Sequence, residues 1–134
     1  MILMKLLKNE SRYLNYIQNS PFGKYYIPAR FQYVILKDYY KKIKQDFTLP
    51  QGEAYFSKKK IRLNTLINGL KKNDNLILIS IFMFPENKKN RLALYKKLIN
   101  KRVRVHFIFE SRVIQNKNDY SKIENIFKLQ KFTN

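Results

Sequence analysis

The chain has 134 residues, of which 28 are basic and nine acidic, so it carries a formal charge of +19; it contains no cysteine and one histidine. Without cysteine there can be no disulfide framework, thiolate nucleophile or thiolate zinc site, and His106 alone cannot build a multi-histidine metal centre within one chain. No metal and no cofactor are expected. The length predicts a single α/β domain over 1–134, with 1–10 and 131–134 loosely ordered, and the opening MILMKLLKNE lacks the pattern of a signal peptide, so a cytoplasmic location is expected.

A charge of +19 attracts anions and polyanions, nucleic acid among them. The lysine pairs Lys41-Lys42, Lys71-Lys72, Lys88-Lys89 and Lys96-Lys97, and the triplet Lys58-Lys59-Lys60, are spread along the chain. Such spacing describes solvated helix faces rather than one basic stripe. Lys, Asn, Ile, Tyr and Phe are all abundant, as AT-rich coding would make them, yet Glu is scarce, so composition alone does not explain the charge.

Arg12 to Gln18 combines aromatic and branched residues and is followed by Asn19-Ser20-Pro21-Phe22-Gly23, which predicts a first strand and a turn. From Pro28 to Ile43, Phe31, Ile35 and Tyr39 recur at helical spacing and predict a first helix with Arg30, Gln32 and Lys37 near or opposite its core face. Phe47 to Leu49 reads as a short second strand ended by Pro50-Gln51-Gly52. Leu63, Leu66, Ile67 and Leu70 mark a second helix.

The run Leu76 to Pro85, LILISIFMFP, is apolar almost throughout. It predicts a central parallel strand covered on both faces, and it is too short and too closely flanked by charge to span a bilayer. A third helix from Glu86 to Lys101 is expected to pack through Leu92, Tyr95, Leu98 and Ile99. Val103, Val105, Phe107 and Phe109 alternate with Arg104, His106 and Ile108 and predict a half-exposed fourth strand at an edge. Asn116 to Asp119 starts a last helix packed through Ile123, Ile126 and Phe127. Strands alternating with helices predict a three-layer sandwich around a four-stranded parallel sheet of order 2-1-3-4, resolvase-like or Rossmann-like.

In such a sheet the binding crevice lies at the carboxyl ends of strands one and three, where the winding direction reverses. The loop from Asn19 to Arg30 and the turn from Ser80 to Glu86 would form it. Glu53 and Glu110 would share that rim, but about 14 Å apart at roughly 4.8 Å per strand, too far for a direct carboxylate pair. Arg30 and Arg91 fall near helix amino ends, where guanidinium and free N–H groups suit a phosphate or carboxylate. Ser20 occupies a loop position open to a nucleophile, with no base identified beside it, and His106 reads as a hydrogen-bonded structural histidine. Gly52 and Gly69 belong to no phosphate-cradling motif. Tyr25, Tyr26, Phe31, Tyr33, Tyr39 and Tyr40 alternate with Lys24, Arg30, Lys37 and Lys41 in a pattern that suits either core packing or single-strand stacking.

IPARFQYVILKDYY (27–40), Glu53, ISIFMFPENKKNR (79–91) and HFIFE (106–110) resemble the sporadic carbohydrate cluster proteins. Ile27, Pro28, Gln32, Asp38, Tyr39, Glu53, Ser80, Phe82, Pro85, Arg91, His106, Phe107 and Glu110 fit that family's pattern, while Ala29, Lys37 and Tyr40 depart from it. The resemblance covers about residues 16–132 and implies a pathway rather than a reaction: surface polysaccharide assembly, in O-antigen or capsule clusters. Together with the crevice read above, it leads to an expected accessory protein or small enzyme that binds an anionic sugar precursor, a phosphosugar or nucleotide sugar, with Arg30, Gln32 and Arg91 toward the anion and Ser80, Glu53 and Glu110 toward the sugar. A non-catalytic partner of a glycosyltransferase complex is an alternative.

A weaker similarity of architecture links the chain to the serine recombinase catalytic domain, and Tyr16 to Ser20 echoes its Tyr-x-x-x-Ser opening. FMFPE stands where that family needs arginines to stabilise a phosphoryl transition state. The corresponding alternative is a nucleic-acid-binding module without recombinase catalysis.

Overall fold

A computed structural model describes residues 11–53 and 60–133. The expectations placed on residues 1–10 and on Asn134 lie outside them. The elements in order are β1 (Tyr13–Gln18), α1 (Ala29–Lys42), β2 (Gln51–Glu53), α2 (Ile61–Asn68), β3 (Asn75–Leu78), a 3-10 turn (Ile81–Met83), α3 (Lys88–Asn100), β4 (Arg104–Phe107), β5 (Arg112–Ile114) and α4 (Lys117–Thr133). They form an α/β fold with a five-stranded sheet of order β2-β1-β3-β4-β5. β2, β1, β3 and β4 run parallel in the expected order, and β5 joins antiparallel.

β5 is an element the sequence reading lacks, and it changes the status of β4. His106 pairs with Ile77 on one side and Val113 on the other, so β4 is an interior strand, and Val105, His106 and Phe107 are all buried. The expected half-exposed edge is therefore corrected. Ser111, at a φ of 52°, takes the left-handed conformation in the tight connection that turns the chain back into β5.

The apolar run from Leu76 is buried as expected but is not one strand. Leu76 to Ile79 are fully buried, and each stabilises the fold by about 1.5–3 kcal/mol. The ladder stops at Leu78 because Ser80 caps the 3-10 turn, its Oγ accepting from the Phe82 N–H at 3.2 Å. Ile81, Met83 and Phe84 then pack beneath the turn, fully buried.

Two helix stripes differ from the periodicity reading. The buried line of α1 is Gln32, Leu36 and Tyr40, one position on from the expected Phe31, Ile35 and Tyr39, and Phe31 is 49% exposed. In α3 the buried residues are Arg91, Leu94, Tyr95 and Leu98, with Leu92 turned outward; the helix starts after an Asn87 cap, leaving Glu86 outside it. The second strand also forms later than expected. Pro50 has no N–H to give a ladder, so β2 begins at Gln51, while Phe47 packs on the rings of Tyr33 and Tyr40.

Candidate functional site at the carboxyl ends of the strands

At the end of β1 the buried Gln18 organises the following loop. Its Nε2 donates to the carbonyls of Ser20 at 3.2 Å and Pro21 at 2.8 Å, and its Oε1 accepts from Nζ of the buried Lys60, just before α2. Gln32 closes the same loop from α1: its Oε1 accepts from the Gln18 N–H at 3.1 Å, and its Nε2 donates to the carbonyls of Gln18 at 2.6 Å and Ile27 at 2.7 Å. With all of these bonds made in the interior, Gln32 fixes the chain's path between β1 and α1.

Beyond Ser20, Phe22 and Tyr25 exchange backbone hydrogen bonds of 2.9 and 3.0 Å around Gly23. Gly23 has a φ of +62°, and a Cβ there would lie 2.8 Å from the Phe82 ring. The glycine thus meets two demands at once, a left-handed backbone and close approach to the turn after β3.

Glu110, just after β4, reaches back to that turn. Its Oε2 accepts from Ser80 Oγ and its Oε1 from the Ile81 N–H, each at 2.9 Å. Ser80 is fully buried. The pair acts on the turn's backbone and fixes where Phe82 projects; the Phe82 ring also meets Phe127 of α4 edge-on at 5.3 Å.

These supports leave a groove of about 360 Å³ lined by Lys24, Tyr25, Phe82, Ile126, Leu129 and Gln130. Its walls come from the loop after β1, the turn after β3 and α4, so it opens at the strand-order reversal. Tyr25 is braced from behind by Phe109, ring centroids 4.9 Å apart. The groove is largely apolar, with an exposed lysine at its mouth.

The predicted site residues divide by position. Arg30, in the first turn of α1, is exposed and stacks over Phe31 at 4.8 Å. Glu53 ends β2, and its side chain lies outside the described residues. Gln32, Ser80 and Glu110 are engaged in the loop-fixing bonds above. Arg91 is 3% exposed: its Nε and Nη2 donate to Glu124 at 2.7 and 2.8 Å, its Nη1 donates to the carbonyls of Pro85 and Glu86, and its guanidinium lies 3.9 Å over the Phe127 ring.

Tyr95 also donates to Glu124, at 2.7 Å. Burial alone would raise the Glu124 pKa, but the bonds from Arg91 and Tyr95 outweigh it and hold the carboxyl below its ordinary value. The same burial, together with the Glu124 contact, pushes the Tyr95 hydroxyl well above the usual tyrosine range. The cluster joins α3 to α4 with its charges matched internally.

His106 lies nearer the other end of the sheet. Its Nε2 faces Asn75 Oδ1 at 2.9 Å, and because that oxygen can only accept, Nε2 carries the proton and Nδ1 accepts from the Tyr39 hydroxyl at 2.6 Å. Burial, with Arg104 close by, lowers its pKa to about 4, so the ring is neutral at ordinary pH. That matches a hydrogen-bonded structural histidine. Between α3 and α4 a further cavity of about 390 Å³ borders the stacked Tyr95 and Tyr120 rings.

Sequence reasoning missed Gln18 and Glu124; Lys24 and Phe82 lie in the loop and the turn it expected to form the crevice, though neither was singled out as a ligand-binding residue. A detectable signal existed for Gln18, a polar residue closing a strand directly before a turn-forming loop. Set against known proteins, the chain matches no family model and no curated sequence.

Proposed function

We propose that this protein binds an anionic sugar precursor, a phosphosugar or nucleotide sugar, in the groove at the carboxyl ends of β1 and β3, as an accessory protein or small enzyme of surface polysaccharide assembly. The observation that carries this reading is the groove itself: about 360 Å³, at the strand-order reversal, with the rings of Tyr25 and Phe82 in its walls and Lys24 at its mouth. Aromatic walls offer flat apolar faces to a sugar ring, and an exposed ammonium suits a phosphate. The resemblance to the carbohydrate cluster proteins supplies the pathway.

In this reading Lys24 and Arg30 meet the anion, and Gln32, Ser80 and Glu110 shape the walls. Arg91 positions α4 through Glu124, and Glu53 belongs to the outer rim. The accompanying fold reading is a three-layer, Rossmann-like or resolvase-like arrangement. Two partner sets support it: α1 reaches Asn15 and His106 through Tyr40 and Tyr39, whereas Phe84 and Phe107 meet Tyr95 of α3 directly or through one another.

Calorimetric titration with sugar phosphates and nucleotide sugars tests the proposal. At least one is expected to bind, and Lys24→Ala, which removes one charge-assisted contact, or Tyr25→Ala, which removes one apolar ring face, should each weaken that binding about tenfold. Absence of binding by every member, or binding indifferent to both substitutions, would sink it. A nucleic-acid reading rests on the +19 charge. It requires affinity for DNA or RNA that falls steeply with salt.

A further inference from the structure

The groove is bordered by apolar side chains that the fold leaves outside its core. Leu129 and Tyr25, which both line the groove, are 64% and 39% exposed, and Tyr26, the next residue along the loop from Tyr25, is 64% exposed. On α4, Lys122, Ile126 and Leu129 are spaced i, i+4 and i+7, which sets Lys122 on the groove-facing side of the helix. Lys24 lines the groove, and both lysines are exposed. Tyrosines and aliphatic residues thus project beside lysines at one end of a chain carrying +19.

We propose that this rim docks on an anionic lipid bilayer, with Tyr25, Tyr26 and Leu129 entering the interface and Lys24 and Lys122 meeting the headgroup phosphates. Tyrosine suits the boundary because its ring is apolar and its hydroxyl stays wet, and lysines near an anionic leaflet are drawn to it. One feature favours a lipid surface over single-stranded nucleic acid: Leu129 and Ile126 are aliphatic and offer no ring face for a base to stack on. The charge favours an anionic surface over a neutral one. The inference shares Lys24 and Tyr25 with the sugar-precursor reading, but it is measured with no sugar present and also through Tyr26, Leu129 and Lys122, so the two readings can fail separately.

Co-sedimentation of the full chain with phosphatidylcholine vesicles, with and without phosphatidylglycerol, tests it. Binding is expected only to the anionic vesicles, with a fraction that persists at high salt, since inserted side chains are not screened. Replacing Lys24 and Lys122 together by Ala should weaken binding about 25-fold, at about fivefold per lysine. A Tyr26→Ala, Leu129→Ala double variant should lose the salt-resistant fraction; both positions are exposed, and a circular dichroism spectrum confirms the fold. Lys71→Ala with Lys72→Ala, before β3 at the opposite end of the sheet, should keep both properties apart from a small loss of general attraction. Equal binding to neutral vesicles, an equal loss from the Lys71 and Lys72 pair, or full salt-resistant binding without Tyr26 and Leu129 would overturn the proposal. So would failure to bind any vesicle.

Discussion

Arg91 of α3 and Glu124 of α4 face each other as a bidentate pair, with both N–H···O contacts under 3 Å and both residues buried. A buried pair of this kind adds modest net stability while intact, but removing one partner strands the other charge. Glu124→Ala should therefore cost about 3–5 kcal/mol in urea unfolding. Replacing both residues by apolar ones of similar size should recover most of that loss. If the single substitution costs no more than an ordinary surface change, the pair does not join the helices as described.

Ser80 and Glu110 should prove to be shaping residues. Glu110→Ala removes the acceptor for both the Ser80 hydroxyl and the Ile81 N–H, and a loss of about 2 kcal/mol is expected. Glu110→Gln keeps the length and an acceptor oxygen and should restore about half. Thermal unfolding of the three proteins at one pH gives the ordering, and equal losses for Ala and Gln would argue against this role.

Gly23 couples the two halves of the groove. Substitution by alanine meets a φ of +62° and a Phe82 ring 2.8 Å away. The backbone strain alone costs about 1–2 kcal/mol, and the ring must shift, so destabilisation should come with a changed groove. Chemical-shift changes at Phe82 and Phe127 would report it. A stable variant with unmoved Phe82 resonances would contradict the close approach.

The histidine gives a pH signature whose sign can be worked out. In the unfolded chain His106 takes up a proton near its ordinary 6.5, whereas in the fold it resists until about pH 4. The unfolded state binds the extra proton, so stability is complete above 6.5 and falls by about 3 kcal/mol as pH drops to about 4. His106→Gln should lack that fall. Asp74 and Glu124, both held below ordinary carboxylate values, lose their contributions at lower pH. Parallel stability curves for parent and variant between pH 7 and 4 would rule out a neutral buried His106.

The order of the parallel strands and the place of the groove were legible because alternating apolar runs and turn residues are local signals. Other features depended on partners far away in sequence. The stripe of α1 is displaced by one residue because Gln32, polar by composition, is buried to bond Gln18 and Ile27, a demand set by the loop and not by hydropathy. Arg91 looked available for a ligand because Glu124, its partner, stands 33 residues away with no pattern linking them. β5 is three residues long and follows β4 across a short turn. Its sequence, RVI, is too brief to register as a strand until β4 offers it a free edge.

The pairing of β1 with β3 has a consequence for how the chain is made. Arg12 and Asp74, which meet beside that pairing, are 62 positions apart, and β4 cannot add until β3 is in place. During synthesis β1 waits with an edge open until β3 has emerged, a period in which strand edges invite wrong partners. The scattered lysine pairs, repelling one another between neighbouring nascent chains, would keep that waiting strand from finding a copy of itself.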